Sequence, residues 1–281
     1  MSLSRIATNL QSLQSHTSLT RTNEKMSIAQ LRLSTGSRIN RAEDDSAGYS
    51  IGKKLESRIR GQAQALANVG DAKSMLTVGE GALNTVMDIL QTMKEKAIQA
   101  NNDTLAESER DAIQNQMDAL IREIDDLNNN TEFNGTQILG ATADLAFHVG
   151  ADSSATFTVA SGAGGALGGV DSSDLSLSGA VTVDSASTTA TRSTSIQNIE
   201  NAIQTVSDQL GQLGDEQKRL SFKQDNLRTS INNYEGAKSR IMDADFAKEQ
   251  MDMVKYQILQ QTGTSSLAQA NSAPQIVLSL F

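Results

Sequence analysis

Apolar residues recur at alternating steps of three and four through the last third of the chain. The series runs Ile196, Ile199, Ile203, Val206, Leu210, Leu213, Leu220, Leu227, Ile231, Tyr234 and Ile241. Polar Gln217, Gln224 and Lys238 keep the same register. This is a heptad seam, and a helix over 196–241 is predicted, ~70 Å long if straight. A helix with one apolar stripe draws its stability from partner helices. Two further seams supply them: Leu83, Val86, Leu90, Met93, Ala97 and Ala100, then Ile113, Met117, Leu120, Ile124 and Leu127. NNDTLAESER (101–110) between them is polar and turn-like, and Ser108 with Asp111 has the spacing of a capping box. The predicted fold is mainly α: an elongated antiparallel helical bundle or coiled coil.

The centre has a different period. LAFHV (145–149) and ATFTV (155–159) alternate around GADSS and predict a β-hairpin. SGAGGALGG (161–169) is a flexible or sharply turning segment, and DLSLSGAVTV (174–183) could add a strand. At the start of the chain Leu3, Ile6, Leu10 and Leu13 form a short seam. Met251, Val254 and Ile258 form another near the end, followed by Leu267 and by IVLSLF, which closes on Leu280 and Phe281. Both stretches lie among Gln, Ser, Thr and Asn, and neither would hold a helix alone in water. The two ends are expected to pair, with each other or across copies.

Composition narrows the function. A single proline leaves almost nothing to interrupt long helices, and 3% aromatics provide few large core anchors. A net charge of −9 disfavours nucleic acid as a partner. No segment reaches the roughly 18 consecutive apolar residues of a membrane span, so no membrane insertion is expected. The absence of cysteine excludes disulfides, thiolate metal sites and cysteine nucleophiles. His16 and His148 are not spaced as a ligand pair and read as surface or partly packed residues. The N-terminal stretch lacks the basic start and apolar block of a cleavable secretion signal. No catalytic residue, metal or cofactor is expected.

LSTGSRINRAEDDSAG (33–48) concentrates charge between two helical stretches. Glu43, Asp44 and Asp45 are adjacent, which points neighbouring side chains about 100° apart on a helix and argues against a metal or acid/base pair. The loop is therefore a solvated turn or a surface that meets another protein. GEGAL (79–83) lacks the lysine and third glycine of a phosphate cradle.

Several of these stretches closely resemble bacterial flagellins. LRLSTGSRINRAEDDSAG (31–48) is similar to the family's N-terminal signature. GEGALNTVMDILQTMKEKAIQA (79–100) and TEFNGTQIL (131–139) look like the segments that follow, and SRIMDADFAKE (239–249) like the C-terminal one. The resemblance covers roughly 1–160 and 195–281. It implies an inner domain of paired terminal helices (1–43 with 239–281) and a neighbouring bundle (44–140 with 196–238). A β-hairpin and short variable insert (141–195) would lie between the halves, without the usual outer domains. It further implies a secreted, extracellular subunit, exported unfolded by the flagellar type III system, that polymerises into a filament for motility. The partners it implies are other flagellin subunits, the hook–filament junction and cap proteins, and an export chaperone on the C-terminal region. Self-assembly would rest on the apolar terminal seams, including Leu280 and Phe281, with Arg38, Arg41, Asp44 and Asp45 in a charged linker contact. Some flagellins are sensed by an innate-immune Toll-like receptor through an arginine, a leucine and a glutamate. These align with Thr92, Lys96 and Gln116, so weak or absent activation is expected. A hook–filament junction protein and a secreted coiled-coil adhesin or effector remain alternatives.

Overall fold

A computed structural model describes residues 8–278 except Thr142 and Ala163, with side chains described as far as Ser272. Leu3, Ile6, Leu280 and Phe281 lie outside the described residues. The elements run α1 (Leu10–Thr35), α2 (Ser46–Ala100), α3 (Glu107–Asn130), β1 (Glu132–Phe133), β2 (Thr136–Gln137), β3 (Leu145–His148), β4 (Thr156–Val159), α4 (Thr189–Met242) and α5 (Phe246–Leu278). Two compact units result. The first joins residues up to 59 with those from 232 onward, and the second is 60–231. The unit limits fall inside α2 and α4, whereas the domain limits expected from the resemblance fall at 43/44 and 238/239.

In the second unit the α2 seam starts earlier than expected. Ala65, Val69, Ala72 and Leu76 are buried in the register that Leu83, Val86, Leu90, Met93, Ala97 and Ala100 continue. Gly79 fills the remaining position, where a Cβ would lie 3.0 Å from Leu167 and 3.3 Å from Ile138. Ile113, Met117 and Ile124 of α3 join this core, as do Ile199, Val206, Leu213, Leu220 and Leu227 of α4. Ile196, Ile203 and Leu210 are only half-buried at its margin. The deepest α4 stripe runs one position aside, through Arg192, Ser195, Ile199, Ala202, Val206, Gln209 and Leu213. Its small and polar members conceal it from a hydrophobicity pattern.

The cap of α3 also differs from expectation. Ala106 is the N-cap, and its N–H donates to the Glu109 carboxylate at 3.0 Å. Asp111 instead accepts from Ser185 N–H at 2.8 Å. Phe133 and Thr136 pair across Asn134–Gly135, both with positive φ, which makes TEFNGTQ a tight two-residue hairpin. β3 and β4 pair antiparallel with Phe147 opposite Phe157, as the alternation predicts. No strand forms over 174–183, where turns carry Leu175, Leu177, Val181 and Val183 into the core. The Gly-rich stretch before it is packed as well, with Ala166, Leu167 and Val170 buried.

Candidate functional site: the terminal helices and their linkers

The first unit pairs α1 with α5 antiparallel. Asn9 Nδ2 donates to Ala270 O at 2.8 Å, Ser12 Oγ to Asn271 Oδ1 at 2.7 Å, and Arg32 meets Glu249 at 3.3 Å. The inward stripe of α1 is Ser12, Ser15, Leu19, Thr22, Met26, Ala29 and Leu33. That of α5 is Glu249, Met253, Tyr256, Gln260, Gly263, Leu267 and Ala270. Both stripes keep heptad spacing, but small and polar residues make up much of each. A groove of about 330 Å³ remains between them, lined by Gln14, Ser18, Thr22, Leu259, Thr262 and Ser266 among others.

The residues singled out from hydrophobicity therefore face away from this pairing. Leu10 and Leu13 are 58% and 60% exposed, and Met251, Val254 and Ile258 are 67%, 43% and 59% exposed. Ile28, Leu31 and Leu259 are exposed as well, and only Leu267 turns partly inward. The paired helices bury a mixed stripe and turn leucine, isoleucine, methionine and valine to solvent. Large apolar side chains exposed in this number on one helix pair mark surface made for interaction.

Two linkers meet beside this pair. Arg38 N donates to Met242 O at 2.6 Å and Ala244 N to Gly36 O at 2.9 Å, which forms a short antiparallel bridge between Ser37 and Asp243. Gly36, at φ 69°, closes α1 in the left-handed conformation that glycine adopts without strain. Arg38 Nη2 donates to Ile241 O at 2.8 Å. The motifs STGSRIN and SRIMDAD thus bind one another through their backbones.

The carboxylates of the loop have local tasks. Asp44 Oδ2 accepts from the N–H groups of Asn40 and Arg41, each at 3.0 Å. Asp45 caps α2 by accepting from Gly48 N at 2.9 Å. Asp245 does the same for α5, accepting from Ala247 N at 3.0 Å and Lys248 N at 3.2 Å. Arg41 pairs with Glu43 at 3.0 Å with both side chains 70% exposed, a contact that adds little to stability. The exposed side chains of Arg38, Arg41 and Glu43 remain at the surface.

Sequence reasoning missed three members of this junction. Ile39 is buried. A Cβ on Gly48 would come within 2.7 Å of Ile39 Cδ1 and 2.6 Å of Asp45 Oδ2, so any larger residue would have to displace the buried Ile39 or the capping Asp45. Glu249 is buried and bound to Arg32. An Asp directly before a helical run, as at 45 and 245, was the available signal for the two caps.

The hydrogen bonds from Arg41 and Asn40 hold the Asp44 carboxyl below the ordinary aspartate range, against a smaller opposing effect of burial. The folded loop thus binds this proton more weakly than the unfolded chain. Its contribution is present above the ordinary aspartate value and is lost as pH falls through the lowered value. We expect the amide resonances of Asn40 and Arg41 to titrate with a midpoint below that of free aspartate. An unshifted midpoint would contradict this geometry.

Thr92 and Gln116 are exposed, and Lys96 is half-exposed. Both histidines are exposed. Among the described residues no cluster could hold a metal ion, and no helix is long and apolar enough to cross a membrane.

Long paired helices that present apolar residues outward, with no metal cluster among the described residues, define a helical protein of the interaction class. Residues 6–144 match the bacterial flagellin N-terminal helical region, and 196–281 match the C-terminal helical region. The chain is 36% identical to the flagellin of Halalkalibacterium halodurans, over 89% of each protein. It is 35% identical to the flagellin of Bacillus subtilis, over 99% of each. A solved structure of a putative flagellar hook-associated protein from Vibrio parahaemolyticus shares the fold, with a TM-score of 0.58 at 14% identity over 71% of this chain and all of that one. The chain belongs to the bacterial flagellin family. It is a structural protein, the self-polymerising subunit of a flagellar filament.

Proposed function

We propose that the outward apolar residues of α1 and α5 form the surface through which copies stack. The observation that carries this reading is the inversion of the pair. Ser12, Ser15, Thr22, Gly263 and Ala270 face inward, while Leu10, Leu13, Met251 and Ile258 face solvent. Burying each large apolar side chain contributes roughly 1.5–3 kcal/mol. A head-to-tail contact that does not close repeats this gain along a filament. Exposed Arg38, Arg41 and Glu43, on a linker braced from within by Asp44 and Asp45, set register between copies.

In this reading the inner domain is 1–43 with 239–281 and the bundle is 44–140 with 196–238. The subunit is secreted, exported unfolded through the flagellar type III system, and resides in the extracellular filament. Its C-terminal region engages an export chaperone, Leu280 and Phe281 belong to the self-assembly seam, and junction and cap proteins meet the filament ends. With Thr92, Lys96 and Gln116 at the receptor-aligned positions, innate-receptor activation is weak or absent.

The test is Ile258→Ser. The side chain is 59% exposed in the single chain, so melting of the monomer should change by no more than about 0.5 kcal/mol. The concentration needed for polymerisation should rise at least about tenfold. Unchanged assembly by this variant would remove the proposed surface.

A further inference from the structure

The segment between β4 and α4 has almost no regular structure, yet it lies against the helices of the second unit through specific hydrogen bonds. The side-chain amide of Gln114 on α3 accepts from Val183 N at 2.7 Å and donates to Val181 O at 3.3 Å. From α4, Ser195 Oγ accepts from Thr182 N and donates to Thr182 O, both at 2.9 Å. Residues 181–183 are thus held from two sides by side chains that bond as a neighbouring strand would. Val181 and Val183 are buried between these contacts, and Thr182 is half-exposed.

The same arrangement extends along α3. Asn128 Oδ1 accepts from Val170 N at 3.1 Å, Asp125 Oδ1 from Ser172 N at 2.6 Å, and Asp111 Oδ1 from Ser185 N at 2.8 Å. Asp111, Gln114, Asp125 and Asn128 recur at helical spacing and form one polar row beside the apolar seam. Gly179, at φ 66°, provides the turn that separates Leu175 and Leu177 from Val181 and Val183. A buried backbone group without a partner is costly, so this row lets an irregular segment enter a helical core.

We propose that the α3–α4 groove is a recognition site for an extended peptide of pattern apolar–x–apolar, filled in the folded chain by its own residues 181–183, and that this docking closes the second unit. The row reads backbone N–H groups, while the apolar core that buries Val181 and Val183 reads side chains, the division of labour found in strand-addition sites.

Two measurements test it. In the full chain carrying Gln114→Ala and Ser195→Ala, the amides of Thr182 and Val183 should exchange about tenfold to a hundredfold faster, while that of Leu90 stays protected. Equal exchange at Thr182 and Val183 in both chains would overturn the proposal. In a second variant, residues 165–186 are replaced by a Gly/Ser linker of equal length and a synthetic 165–188 peptide is added in trans. Saturable binding is expected, absent for a peptide carrying Val181→Asp and Val183→Asp. Folding of the variant only when the parent peptide is present would support the proposal equally. A folded variant that ignores the peptide, a variant that stays unfolded with it, or equal binding of both peptides would sink it.

Discussion

A chain ending at Ile258 is expected to form no filaments at concentrations where the full chain polymerises readily. The deletion removes Gln260, Gly263, Leu267 and Ala270 from the inward stripe of α5. It also removes the acceptors of Asn9 and Ser12, Ala270 O and Asn271 Oδ1. The first half of α1 is then left without a partner, and an isolated helix of that length is marginal in water. Leu10 and Leu13 remain in the chain but lose the helix that orders their part of α1. The second unit keeps its own core, from Ala65 on α2 to Leu227 on α4, and should stay folded. Light scattering and negative-stain imaging would read the loss of assembly, and circular dichroism the retained helix. Ordinary filaments from the shortened chain would contradict the role given to α5.

Leu90→Ala should have the opposite profile. Leu90 is fully buried in the α2 seam. Truncating a leucine there leaves a cavity and costs about 2–5 kcal/mol. For a unit of this size, that corresponds to a fall in melting temperature of roughly 5–20 °C. The damage appears in the monomer, before any assembly, whereas Ile258→Ser affects assembly alone. A Leu90→Ala chain that melts within about 2 °C of the parent would show that the α2 seam does not carry the fold of the second unit.

How far the sequence disclosed this structure depended on contrast between neighbouring positions. Leu83 to Ala100 and Ile113 to Leu127 stand out against polar flanks, and the structure buries them or packs them at the core margin. LAFHV and ATFTV alternate, and they form the β3–β4 hairpin. The α1–α5 pairing had no such contrast. Its inward stripe mixes Ser12, Ser15 and Thr22 with Leu19, while the stronger apolar series Leu10, Leu13, Met251, Val254 and Ile258 lies on the other side. The period was legible, but the side on which each helix meets its mate was not.

The segment 164–188 was illegible for a different reason. Its serines, glycines and alanines resemble a loose connector, and its order comes from Asp111, Gln114, Asp125 and Asn128 more than forty residues earlier in the chain. The charged loop was found by its charge, but not what that charge does. Asp44 and Asp45 stabilise a turn and a helix start, and the meeting of Gly36–Arg38 with Met242–Ala244 is a backbone pairing that no side-chain pattern announces.

Amide hydrogen exchange across α1 and α5, compared between the dilute monomer and the assembled polymer, tests the core of this account most directly. If copies cover the outward apolar faces, amides in 10–33 and 249–270 should slow by about a hundredfold or more on assembly, while those of 83–97 change little. Terminal helices equally protected in both states would contradict it.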